Sequence, residues 1–204
     1  MLYYVLALCL FAVIFASYFP TLYVKKKNLL IQQSKELDEE TFQVKPFFSC
    51  SVLLFLTPLL MFYLSQNIYM AVFCFVFAVL AYTDLSARWL PDIPVYLLMV
   101  LSVMGVDKQD MSECIISSLF FVAPAVLLNF LLRIKGSKSF IAAGDFYVLP
   151  SIGLMIRPEH AAGLMLFILF QTVFMSRLCK QIPLITVTFS TFCGYQICLL
   201  LSLF

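Results

Sequence analysis

Three carboxylates in this chain sit where an ionisable group is costly. Asp84 closes an apolar stretch that begins at Ile68, Asp92 opens another at Ile93, and Asp145 follows Gly144 at the head of a third. Arg88 and the only tryptophan, Trp89, lie between Asp84 and Asp92. At the edge of a membrane span such a group is a functional-site hypothesis by default. Two carboxylates brought from different helices to one depth of the bilayer can form a dyad. A few ångströms apart they cannot both ionise easily, so the pair holds one proton. One member then takes a proton from an attacking water while the other donates to a carbonyl oxygen. Which does which belongs to the coupled pair. Gly144 suits such a site, because a residue without Cβ lets another backbone approach Asp145 closely.

The elements that must position these groups are membrane spans. Of 204 residues, 63% are hydrophobic and 12% charged, against about 45–50% and 25% in soluble domains. The expected fold class is all-α, a polytopic helical bundle forming one integral membrane domain over residues 1–204. With about 20 apolar residues needed per crossing, the apolar runs give about eight spans. These cover residues 2–24, 46–65, 68–83, 93–106, 114–132, 146–156, 161–174 and 183–204, with Gln66-Asn67 as a tight turn and Arg157-Pro158-Glu159-His160 as another. Residues 25–46 make a short polar cytoplasmic loop. The first span lacks a basic leader and a small-residue cleavage site, so it reads as an uncleaved anchor. No internal repeat is evident.

Orientation follows from the Lys/Arg bias of short loops. With Lys25-Lys26-Lys27 in the cytoplasm, alternation puts eleven basic residues on that side and only Lys108 and Arg157 opposite. Both termini are then extracytoplasmic. Asp84, Asp92 and Asp145 all fall on the cytoplasmic side, whereas the other eight acids are loop charges.

The remaining residue types argue for little chemistry. The seven cysteines show no C-x-x-C spacing, so they read as small buried hydrophobes, with neither a zinc site nor a disulfide framework. His160, the only histidine, reads as a loop residue. Phe73, Phe75 and Phe77 read as lipid-facing or packing residues. No basic stripe interleaved with exposed aromatics appears, which excludes nucleic acid as a partner. Asp84 and Asp145 also have plain readings as helix-end residues, Asp being a favoured cap. Asp92 reads as a supporting residue that orients its loop, pairs with Arg88 or caps the fourth span.

Asp84-Leu85, followed after four residues by Leu90-Pro91-Asp92, resembles the first active-site motif of the type IV prepilin peptidases. Ala142-Ala143-Gly144-Asp145-Phe146 resembles the second, the Gly-x-Gly-Asp signature shared with presenilin-like intramembrane aspartyl proteases. Lys180-Gln181-Ile182-Pro183-Leu184 is similar to the proline-containing start of that family's last span. The resemblance covers about residues 68–204, the expected peptidase core. It implies an endopeptidase of the bacterial cytoplasmic (inner) membrane that removes the short basic leader of prepilins or pseudopilins, with a glycine just before the scissile bond. Asp84 and Asp145 would be catalytic, and Gly144, Asp92, Pro91 and Arg88 supporting or substrate-binding. No metal is implied. Many members also methylate the new N-terminus from S-adenosylmethionine.

The sequence departs from the family at three places. Ala142 replaces the signature's first glycine, and Tyr147 stands where a lysine is frequent. Only about 22 residues separate the first two spans, so the large cytoplasmic domain with paired C-x-x-C motifs is missing, which argues against methylation and its cofactor. The acids Glu36, Asp38, Glu39 and Glu40 could attract a basic leader. Two other functions fit the same boundary acids: a small proton-coupled transporter, and a catalytically inactive pilus or secretion assembly factor.

Overall fold

The computed structural model describes residues 2–33, 46–106, 111–135, 141–142, 144–176 and 183–201. These form eight helices: α1 (Leu2–Gln33), α2 (Phe48–Ser65), α3 (Ile68–Ala87), α4 (Asp92–Met104), α5 (Met111–Ile134), α6 (Asp145–Gly153), α7 (Pro158–Ser176) and α8 (Leu184–Leu200). No strand occurs among the described residues. Five helices, α1, α2, α3, α5 and α7, are long and apolar enough to cross a membrane. Their outer surfaces carry Leu10, Ile14, Leu53, Leu119 and Phe170, all more than half exposed. A helical membrane bundle presents such a surface to lipid; water would not tolerate so broad an apolar face. The acidic run at 36–40, residues 107–110 and 136–140, Ala143 and residues 177–182 lie outside the described residues.

Several boundaries differ from the sequence reading for physical reasons. Helix α1 continues past Lys25-Lys26-Lys27 to Gln33, because lysine is a good helix former and charge alone does not stop a helix. Helix α3 likewise runs beyond Asp84 to Ala87. His160 is not a loop residue: Pro158, whose ring suits the first helical turn, starts α7 there. The Gln66-Asn67 turn is present. Gln66 adopts a left-handed conformation, and the Asn67 side chain accepts from the Tyr69 N–H at 2.8 Å, capping α3.

The helices form two groups joined by two bridges. In the first, α1 packs on α2 and α2 on α3; in the second, α5 packs on α6 and α7. Helix α4 lies between α3 and α6, and α8 touches α2, α3, α6 and α7. Small residues bring α1 close to α2: Ala12 and Ala16 are fully buried, and Ser51 Oγ donates to the Ala12 carbonyl at 2.8 Å. An aromatic cluster of Phe15, Phe55, Phe75 and Tyr82 fills the first group, with ring centroids 5.6–6.5 Å apart in its tilted and edge-on pairs. Phe73 and Phe77 meet Phe189 and Phe192 of α8. These phenylalanines are packing residues, not lipid-facing ones.

Helix α6 is the irregular member. Nine residues rise about 14 Å, less than half the roughly 30 Å hydrocarbon core. Helix α5 adds side-chain donors to the terminal carbonyls of α6, beside the backbone bonds from the Leu154 N–H to Pro150 and from the Ile156 N–H to Gly153. Ser117 Oγ lies 2.8 and 2.7 Å from the carbonyls of Gly153 and Ile156, and Ser118 Oγ donates to Pro150 at 3.0 Å. A Cβ on Gly153 would sit 2.7 Å from Ser118 Cα, so only glycine permits this approach. At the other end, Asn129 on α5 holds the Ile141 backbone with two 3.1 Å hydrogen bonds, amide to carbonyl and carbonyl to N–H. Asn129 lies five residues before the end of α5, a depth of roughly 8 Å. The chain therefore enters α6 from within the bundle.

Candidate active site

Asp84 and Asp145 are both buried, at 6% and 9% exposure. They come from the two helix groups, and α3 and α6 are not a principal packed pair; α4 and α8 hold them in relation. The two carboxyl groups are within Coulombic reach, Asp145 acting on Asp84, and the Arg88 guanidinium acts on both. Leu90 closes the arrangement: a Cβ built on Gly144 would lie 3.7 Å from Leu90 Cδ1. The segments Asp84–Asp92 and Gly144–Phe146 thus meet at one end of the bundle.

Local backbone chemistry places each residue. Arg88 ends α3 in a left-handed conformation, φ 51°, and its N–H donates to the Asp84 carbonyl at 3.1 Å. A side chain in that region costs roughly 1–2 kcal/mol, and the loop it starts is held by aromatic packing. Trp89 stacks on Phe19 with centroids 6.5 Å apart, meets Tyr23 edge-on at 5.9 Å and lies under Lys26 Nζ at 5.5 Å. Pro91 then supplies the extended residue that precedes α4. Gly144 has an ordinary right-handed conformation, φ −61° and ψ −34°, and a Cβ there meets nothing closer than normal contact. Neither backbone strain nor crowding within the chain requires a glycine at this position.

The Asp84 side chain also does a structural job. Its Oδ2 accepts the backbone N–H groups of Ile185 at 2.9 Å and Thr186 at 3.2 Å, the second and third residues of α8. Pro183, the residue before α8, makes no side-chain cap, so a carboxylate about a hundred residues earlier in the chain caps this helix. The plain reading of Asp84 as a cap therefore holds, but for α8 and not for its own helix. Asp145 is the first residue of α6 rather than its cap. Asp92, exposed, is likewise the first residue of α4, with Pro91 at the cap position. Each of the three boundary acids thus lies at the positive end of a short helix, where a negative charge is favoured.

Other candidate residues fall elsewhere. Tyr147 is two-thirds exposed on the first turn of α6. His160, in the first turn of α7, places its Nδ1 3.3 Å from the Tyr195 hydroxyl of α8, at the end of the bundle opposite Asp84. Of the described cysteines only Cys74 and Cys193 are buried, while Cys50 is exposed, because the outer faces of the helices are themselves apolar. Among the described residues no group of three or more His, Cys, Asp or Glu could hold a metal. The residues the sequence reading missed are Thr186 and Ala81: Thr186 Oγ1 donates to the Ala81 carbonyl at 2.7 Å. The only signal was a helix start whose proline could not cap it.

Comparison with known protein families, curated protein sequences and solved structures finds no match to this chain.

Proposed function

We propose that this chain is a membrane aspartyl endopeptidase that removes the short basic leader from type IV prepilins or pseudopilins, using Asp84 and Asp145. The observation that supports it most is the convergence of two buried carboxyl groups from separate helix groups, within Coulombic reach and beside Arg88. A water held by the dyad gives one proton to the ionised carboxylate and attacks the carbonyl carbon of the leader's last residue. The protonated partner donates to the carbonyl oxygen, forming a gem-diol. Collapse of the gem-diol breaks the C–N bond, the amine leaves protonated, and one proton returns to the pair. The products are a leader with a free carboxylate and a mature chain with a free amine. No metal enters these steps.

The described basic residues of Lys25-Lys26-Lys27, Arg88, Arg133 and Lys135 share the end that carries the dyad. On the positive-inside rule that end faces the cytoplasm, where a leader that stays outside the membrane would meet it. We read the chain as eight spans with both termini outward, in a bacterial inner membrane, and assign it no methyltransferase activity.

The test is coexpression with a prepilin or pseudopilin, reading leader removal and the N-terminal mass. Asp84→Asn and Asp145→Asn should each lower cleavage by at least about 10²-fold, the scale of a lost proton-transfer group. Asparagine is as good a cap as aspartate, so Asp84→Asn keeps α8 in place and the loss reports chemistry. A second reading has one observation in its favour: Asp84 is fully accounted for as the cap of α8. An inactive assembly factor needs no more than that, and it predicts that both substitutions are silent.

A further inference from the structure

We infer that Thr186 is a positioning residue for Asp84: it clamps the first turn of α8 onto α3, so that one carboxylate oxygen is committed to the helix and the other is left for the water. The inference rests on the endopeptidase reading of the Asp84–Asp145 pair.

The clamp has two jaws on one residue. The Thr186 N–H donates to Asp84 Oδ2 at 3.2 Å, and its hydroxyl donates to the Ala81 carbonyl at 2.7 Å. Ala81 and Asp84 are three residues apart on α3 and so share a face. Ala81 is fully buried, and its small side chain lets α8 approach. The Ile185 N–H adds a second bond to the same Oδ2 at 2.9 Å. These N–H groups belong to the start of a helix and have no partner within it. Both fall on Oδ2, so Oδ1 takes no part in capping α8.

A carboxyl group turns readily about its terminal bond, whose preference is broad and two-fold. Unclamped, Asp84 would exchange its two oxygens and hold neither at a fixed distance from the water. The hydroxyl of Thr186 removes that freedom indirectly: by fixing α8 against the α3 backbone, it fixes both amide donors against Oδ2. The side chain touches no reacting atom in this scheme, which makes it a positioning residue and not a catalytic one.

Thr186→Val keeps shape and N–H but loses the hydroxyl; Thr186→Ser keeps both donors. The expected result is that Thr186→Val lowers kcat about tenfold or more with KM within about twofold, because misplacement weakens the transition state without removing substrate contacts. Its pH–rate profile should change shape, and Thr186→Ser should restore both rate and profile. Full activity in Thr186→Val overturns the inference, and so does a Thr186→Ser enzyme as defective as Thr186→Val. A Thr186→Val chain that loses activity only through unfolding, with an unchanged profile in its folded fraction, overturns it as well. Absence of cleavage by the wild-type chain is a failure of the endopeptidase reading itself. The clamp is then judged by thermal unfolding in detergent of Asp84→Ala, Thr186→Val and the double variant. Non-additive losses support it and additive ones overturn it.

Discussion

Gly144 separates a structural explanation from a functional one. Its backbone is right-handed and a Cβ would touch only Leu90 Cδ1, at 3.7 Å, so the fold itself accepts alanine here. Gly144→Ala should leave the unfolding temperature nearly unchanged, since the backbone is right-handed and the added Cβ makes only an ordinary contact. If the space serves an approaching substrate backbone, cleavage falls at least about tenfold through lost positioning. Equal turnover in the alanine variant would remove the reason for a glycine beside Asp145. Asp84 and Asp145 were legible in the sequence because a charge at the border of an apolar run stands out against its neighbours. The cap on α8 was not. Its donors are backbone groups of Ile185 and Thr186, which carry no sequence signature, and its acceptor lies 101 residues away.

Among the elements, α6 shows what periodicity conceals. Its apolar run was visible, as were Pro150 and Gly153, but nothing in the run itself says that α5 must complete its hydrogen bonding. The information sits in Ser117 and Ser118, which read as ordinary small residues of a long span. Gly153→Ala forces a Cβ to within 2.7 Å of Ser118 Cα. Overpacking of this kind costs about 1–3 kcal/mol, and the helix shift it causes also displaces Asp145. Both the unfolding temperature and the cleavage rate should fall; a variant with wild-type stability would show that α5 and α6 are not so closely seated. The helix ends at Gln33 and Ala87 were misplaced for a simpler reason. Charge marks where a span meets the membrane surface, whereas helical hydrogen bonding continues until a cap or a conformational break such as the left-handed Arg88.

For the whole molecule, the three helices too short to be counted among the five long spans, α4, α6 and α8, all begin at the end that carries the carboxylates. A site recessed at one face and ringed by helix starts follows from their lengths. The all-helical membrane class was fully readable from composition; the division into two bridged groups was not, because lipid-facing and buried positions are equally apolar. The eight-span reading predicts that alkaline phosphatase fused after Phe204 is active and that green fluorescent protein there is dark in a bacterial host. The reverse result would put the C-terminus in the cytoplasm and overturn the reading of eight spans with both termini outward. The serine contacts to α6 also bear on biogenesis. Nine residues with a proline are a poor substrate for lateral release into lipid on their own, since they fall short of the length a crossing needs and the carbonyls of Gly153 and Ile156 take side-chain hydrogen bonds from α5. The membrane-insertion machinery must therefore hand over α5 and α6 together, as a hairpin already paired through Ser117 and Ser118. The Asp145 half of the site is then built during synthesis, before α8 emerges to meet Asp84.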